Sequence, residues 1–301
     1  MRLGLESRLN PPPSTIQPQP SLGRRSRVQP ALAPVPFTPW DSFATFLADS
    51  PDGFKQGDHV TIIGPTGTGK THIALELAEL RDYVIFVACK PADPLIADLV
   101  VVRQYWLTGK MEVPYYEYPA GSGRYIPAFN RVVFWPRLSP ETIKRLKPED
   151  VLRAEKNMQK PAVGGAIGYV RKNEKWCLIL DEATWVARDL GLQRELDSAL
   201  FQFRTLEASL ILCGQRPAWM GQYALSQPTH LFLFQTSHHN DIKALGDISG
   251  VNYERVIETV ANLDHRKHEV LYVNTRTREM TRTIAPPGGR VQAQLESGDR
   301  R

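Results

Sequence analysis

Apolar positions follow two alternating patterns along the chain. Short uninterrupted runs recur at 59–63, 83–89, 131–135, 176–180, 209–213 and 230–234. Each reads as a strand buried on both faces. Between them, apolar residues recur at helical spacing, with Ile73, Leu77 and Leu80 over 71–80 and Leu192, Leu196, Leu200 and Phe203 over 190–207. Segments 92–108, 140–160 and 251–263 also read as helices, the second of them charged, with Gly164-Gly165 closing a loop after it. Residues 269–273 and 279–282 form a terminal hairpin. Strands alternating with helices predict an α/β fold: a mostly parallel central sheet, helices on both faces and a β-hairpin at the end.

The flanking segments break this rhythm. Residues 1–36 are rich in Pro, Ser, Gln and Arg and read as a disordered basic arm. Residues 37–50, with Phe37, Trp40, Phe43, Phe46 and Leu47, form a short amphipathic segment that docks on the body. Residues 109–130 read as an irregular insertion whose Tyr115, Tyr116, Tyr118 and Tyr125 pack on the body, stacking on bases being their other use. Residues 285–301 read as a second disordered tail. The folded domain is thus placed at 37–284, with no internal repeat.

Composition narrows the class. An apolar share of 42% in 301 residues supports a sizeable core. No run of eighteen apolar residues predicts a membrane span. The start lacks the apolar stretch of a signal peptide, and Pro11-Pro12-Pro13 oppose the amphipathic helix of a transit peptide. Much of the net charge of +5 sits in the arm, where Arg2, Arg8, Arg24, Arg25 and Arg27 face Glu6 alone. The near-neutral body advertises no broad nucleic-acid surface, though it leaves room for a local basic patch or a ring lumen. The arm reads as solvated, contact with nucleic acid or acidic protein being its other use. Cys89, Cys177 and Cys213 lie in or at the ends of apolar runs and read as small core residues, which fits a reducing cytoplasm. His238, His239, His265 and His268 have no partner at metal-ligand spacing and read as loop histidines.

The chemistry concentrates at strand ends. Gly64-Pro65-Thr66-Gly67-Thr68-Gly69-Lys70-Thr71 links the 59–63 strand to the following helix, the context a phosphate-binding P-loop requires. Its glycines let successive N–H groups turn inward, and the helix N-terminus adds partial positive charge. Lys70 then reaches the β- and γ-phosphates of ATP, and Thr71 holds Mg²⁺. Leu178-Ile179-Leu180-Asp181-Glu182 has the Walker B pattern: Asp181 assists Thr71 at Mg²⁺, and Glu182 orients and polarises the attacking water. Gln215, at the end of the 209–213 strand, is placed to sense the γ-phosphate or that water. A stabiliser for the transferring phosphoryl charge is sought among Arg188, Arg194, Arg204 and Arg216 of a neighbouring subunit, with Arg204 and Arg216 foremost.

At Gly214-Gln215-Arg216-Pro217 the chain resembles the FtsK–HerA-type P-loop ATPases, whose fourth core strand runs into a Thr-Gln-Arg-Pro-like sequence. Residues 64–71 and 178–182 are similar to the family's two Walker motifs. Arg204 resembles the arginine before that strand, and residues 230–235 with Asp241 and Lys243 resemble the last core strand and its polar sequel. The likeness covers roughly 55–275. It departs at Cys89-Lys90-Pro91, where translocases commonly carry Asp-Pro-Lys, and no winged-helix domain or membrane anchor is evident. The resemblance implies a RecA-like ATPase working as a ring, a hexamer being one form, that translocates or packages double-stranded DNA. It also implies phage or mobile-element partners and a bacterial host cytoplasm. A nucleotide-switched or virion-assembly ATPase of the zonula-occludens-toxin-like kind, which pumps no DNA, is the competing class.

Overall fold

The structure is a computed structural model that describes residues 33–90, 115–117, 119–248 and 250–286. The apolar runs form β1 (His59–Ile63), β2 (Val84–Val87), β5 (Arg131–Phe134), β6 (Cys177–Leu180), β7 (Ser209–Gly214) and β8 (His230–Phe234). Two short strands, β3 (Tyr115–Glu117) and β4 (Tyr125–Pro127), pair separately, and β9 (Glu269–Asn274) and β10 (Met280–Ile284) make the terminal hairpin. The main sheet has the order β10-β9-β8-β1-β7-β6-β2-β5, parallel from β8 to β5 and antiparallel at β9. Because β7 and β6 lie between β1 and β2, the carboxyl ends of β1, β7 and β6 are adjacent. That adjacency builds the site.

Alternate strand residues feed cores on the two faces. Cys177 and Ile179 face one core with Val60, Ile62 and Ile211; Leu178 and Leu180 face the other with Leu210 and Leu212. The first core is covered by α1 (Trp40–Asp49) and α2 (Lys70–Ala78). Phe43 of α1 is 2% exposed and lies edge-on to Tyr272 at 4.7 Å, so the amphipathic segment docks as expected. The opposite core is covered by α4 (Pro148–Asn173), which follows the short α3 (Pro140–Arg145), together with α5 (Gln193–Gln202) and, beyond α6 (Tyr223–Ser226) and α7 (His239–Ala244), α8 (Tyr253–Ala261).

Several expectations are corrected. The helix predicted over 140–160 is two helices, broken where Leu146 and Lys147 take the extended backbone that Pro148 imposes on what precedes it. The second runs through Gly164-Gly165, where a loop was expected. Its Ala162, Val163, Ala166, Ile167 and Val170 are buried against the sheet, and that packing outweighs the ~1 kcal/mol each helical glycine costs. The predicted helix over 190–207 ends at Gln202 and tightens into a 3₁₀ turn, while Trp185–Asp189 form a π-helical turn. The insertion is regular at β3–β4, where the Tyr115 hydroxyl bonds that of Tyr169 at 2.8 Å. At the expected disordered ends, Val35 is buried, and the Arg282 N–H donates to the Pro36 carbonyl (2.7 Å) beside β10. Ala285 is also buried, its N–H donating to the His268 carbonyl at 2.9 Å. The remainder of the arm (1–32), the predicted 92–108 helix and the tail from 287 lie outside the described residues.

Candidate active site

The loop between β1 and α2 is held by its neighbours. The Gly64 N–H donates to the Gly214 carbonyl at 3.1 Å, tying β1 to β7. A Cβ at Gly64 would lie 2.6 Å from that of Phe234, so only glycine fits between the loop and β8. Gly69 has φ +103°, and a Cβ there would meet that of Ala285 at 2.8 Å. The residue after the terminal hairpin thus packs directly on the loop. Pro65, Thr66 and Gly67 are exposed, and the Thr68 hydroxyl donates back to the Pro65 carbonyl at 2.9 Å.

Lys70 opens α2 and is 6% exposed, its ammonium donating to the carbonyls of Gly64 and Pro65, each at 2.8 Å. Burial pulls its pKa below the usual lysine range, with acidic neighbours that include Glu182 and Asp181 pulling the other way. The Thr71 hydroxyl donates to Asp181 Oδ1 at 2.8 Å. The Asp181 side chain is 1% exposed, and its Oδ2 lies 2.6 Å from Lys90 Nζ. Beside it, Glu182 Oε1 accepts from Gln215 Nε2 at 2.9 Å. Burial raises the Glu182 pKa above the ordinary carboxylate range, partly offset by that hydrogen bond. A raised pKa is what a group taking a proton near neutral pH requires.

Of these residues Gly69, Lys70, Thr71, Lys90, Glu182 and Gln215 line one cavity of about 620 Å³, ample for a nucleotide. Thr66, Gly67, Gly69, Lys70 and Thr71 line it from the loop and the start of α2, and Lys90, Glu182 and Gln215 from the ends of β2, β6 and β7. Arg137, Gln159, Trp185, His72, His268, Ala285 and Pro286 complete the lining together with Cys89 and Glu155. Trp185 Nε1 donates to Gln159 Oε1 at 2.7 Å, joining those two lining residues. Thr71 and Asp181 present two hard oxygen ligands 2.8 Å apart, a donor set that fits Mg²⁺, which takes one or two protein oxygens and fills its octahedron with water and phosphate. Cys89 also lines the cavity, but burial, helped by the charges of Asp181 and Glu182, pushes its thiol up to about 12 and leaves it inert.

The structure therefore brings together residues 64–71, Asp181, Glu182 and Gln215. It does not bring either foremost arginine to the cavity. Arg216 pairs with Asp241 at 3.0 Å and lies over the Trp219 ring at 4.6 Å. Arg204 sits at the opposite edge of the sheet, donating to the Gln227 carbonyl at 3.0 Å. Sequence reasoning missed Lys90, Arg137, Gln159, Trp185 and the Ala285-Pro286 strap. Of these only Lys90 carried a signal, as the departure at Cys89-Lys90-Pro91. His268, expected as a loop histidine, stands at the cavity wall.

No family model matches the chain, and no curated protein matches its sequence. Among solved structures, VirB4 of Thermoanaerobacter pseudethanolicus is 15% identical over 78% of this chain and 91% of its own, with a TM-score of 0.52. The genome packaging NTPase B204 from Sulfolobus turreted icosahedral virus 2, in complex with AMPPCP, is 16% identical over 75% of this chain and 96% of its own, with a TM-score of 0.48. B204, the DNA-packaging ATPase from Sulfolobus turreted icosahedral virus, is 18% identical over 76% and 97%, with a TM-score of 0.44. At such identity the VirB4 likeness speaks to fold alone. The fold shared with VirB4 is a mixed α/β fold around an eight-stranded, mostly parallel sheet.

Proposed function

We propose that the chain binds Mg·ATP and hydrolyses it. The observation that carries this reading is the convergence of the loop, Thr71–Asp181 and Glu182–Gln215 on one cavity. Loop N–H groups and Lys70 hold the phosphates. Thr71 and Asp181 would hold Mg²⁺, which when bound neutralises phosphate charge. Glu182, aimed by Gln215, orients a water for in-line attack on the γ-phosphorus and takes its proton. The bond from the γ-phosphorus to the bridging oxygen breaks, and ADP leaves with the electron pair. Among the described residues no helix is long and apolar enough to cross a membrane.

The larger task proposed is that of a ring-forming motor moving double-stranded DNA in a bacterial host cytoplasm, with phage or mobile-element partners. The Gln215-Arg216-Pro217 strand end supports it. In such a ring Arg204 has a place as a finger: β7 separates it from its own site by roughly 20 Å, so it can serve only the site of a neighbouring copy. The near-neutral body favours the second reading, a switch or virion-assembly ATPase that pumps no DNA. Steady-state hydrolysis with and without double-stranded DNA separates the two. Stimulation that fades as salt rises supports the motor; hydrolysis indifferent to DNA supports the switch.

A further inference from the structure

Lys90 is a cation of the cavity that the P-loop chemistry above leaves unused. Its main chain is anchored: the buried Trp135 donates its indole N–H to the Lys90 carbonyl at 2.6 Å. Its side chain, one-third exposed, crosses from the end of β2 to Asp181 Oδ2, while Thr71 occupies Oδ1. The two lobes of one carboxylate therefore hold the two groups that border the metal position. Lys90, Glu182 and Lys70 line the same cavity.

This geometry has a consequence once Mg·ATP is bound. A divalent cation taken up by Thr71 and Asp181 stands beside the Lys90 ammonium and weakens its hold on the carboxylate. The same event brings new anions, the γ-phosphate oxygens, into the cavity lined by Lys90, Glu182 and Gln215. A four-carbon side chain on a pinned main chain can turn from one acceptor to the other without moving β2. ADP offers no such acceptor.

Resting on the Mg·ATP site described above, we propose that Lys90 is a second phosphate-binding cation of this site, which exchanges Asp181 for the γ-phosphate and so distinguishes ATP from ADP.

The test is equilibrium binding of ATPγS and of ADP to the full chain, with and without Mg²⁺, in wild type and Lys90→Met. The wild type is expected to prefer ATPγS more strongly with Mg²⁺ than without. Lys90→Met is expected to weaken Mg·ATPγS binding by about 10-fold or more, the scale of a charge-assisted hydrogen bond, with ADP affinity changed far less. Lys90→Arg is expected to keep most of the preference. Equal weakening of both nucleotides would make Lys90 a prop for Asp181 and overturn the proposal, as would an unchanged ATPγS affinity. If Lys90→Met does not fold, Lys90→Gln carries the same comparison. A wild type that binds neither nucleotide would instead overturn the site itself.

Discussion

The two edges of the central sheet each bury an aspartate, and they use it differently. At the carboxyl edge, Asp181 lies behind a cavity, and its partners Thr71 and Lys90 both line that space. At the amino edge, Asp58 is enclosed. It accepts from the Lys55 N–H at 3.0 Å and the Thr229 hydroxyl at 3.2 Å, lies 3.3 Å from His230 Nε2, and pairs with Arg276. His230 Nδ1 in turn meets the Tyr272 hydroxyl at 2.8 Å. Burial alone would raise the Asp58 pKa, but His230, the Lys55 N–H and Arg276 outweigh it and hold it at about 2. A Tyr–His–Asp chain of this kind has the parts of a catalytic relay. Neither its members nor the other partners of Asp58 (Lys55, Thr229 and Arg276) line the cavity. Neither residue type nor burial separates a structural carboxylate from a chemical one here; what differs is whether the partners of the carboxylate border a cavity.

Substitutions at the two edges should therefore separate turnover from stability. The largest effect is expected for Lys70→Ala, which should lower hydrolysis on the order of 10³-fold and weaken nucleotide binding while leaving the melting temperature near wild type. Unchanged nucleotide affinity would contradict the P-loop assignment. Asp58→Ala should do the reverse. It leaves the buried Thr229 hydroxyl and His230 without their acceptor and should cost about 1–3 kcal/mol of stability by denaturant titration, with turnover per folded molecule unchanged.

The amino edge should also set the acid sensitivity of the fold. Burial, followed by the nearby Arg204 charge, lowers the His59 pKa from 6.5 to about 4. The folded chain keeps His59 neutral while the unfolded chain protonates it. Its contribution is thus fully present above pH 6.5 and is lost as pH falls from 6.5 to about 4, on the order of 3 kcal/mol in all. His230, lowered chiefly by burial, acts in the same direction. His59→Asn should flatten the fall of thermal stability across that window; an unaltered slope would remove His59 from this role. The smallest effect is expected for Gln215→Ala, which frees Glu182 to turn and should slow hydrolysis roughly 10- to 100-fold with nucleotide binding retained.

Legibility divides along physical lines. The phosphate loop was readable because one contiguous segment does its work, and Asp181, Glu182 and Gln215 because a parallel sheet places strand ends together. Trp185, Gln159 and Ala285 reach the cavity from three separate segments, and no local pattern marks their convergence. Gly164-Gly165 misled because backbone propensity is local, whereas the burial that keeps α4 helical is tertiary. The enclosed His230 resembled any strand residue, since its partners lie at Asp58 and Tyr272, far off in sequence.

The central claim is that the carboxyl edge hydrolyses ATP through Glu182. The most direct measurement is single-turnover ATP hydrolysis by Glu182→Gln, with ATP binding measured on the same preparation. Binding should persist while hydrolysis falls at least ~10²-fold. Near wild-type hydrolysis in that variant would contradict the account.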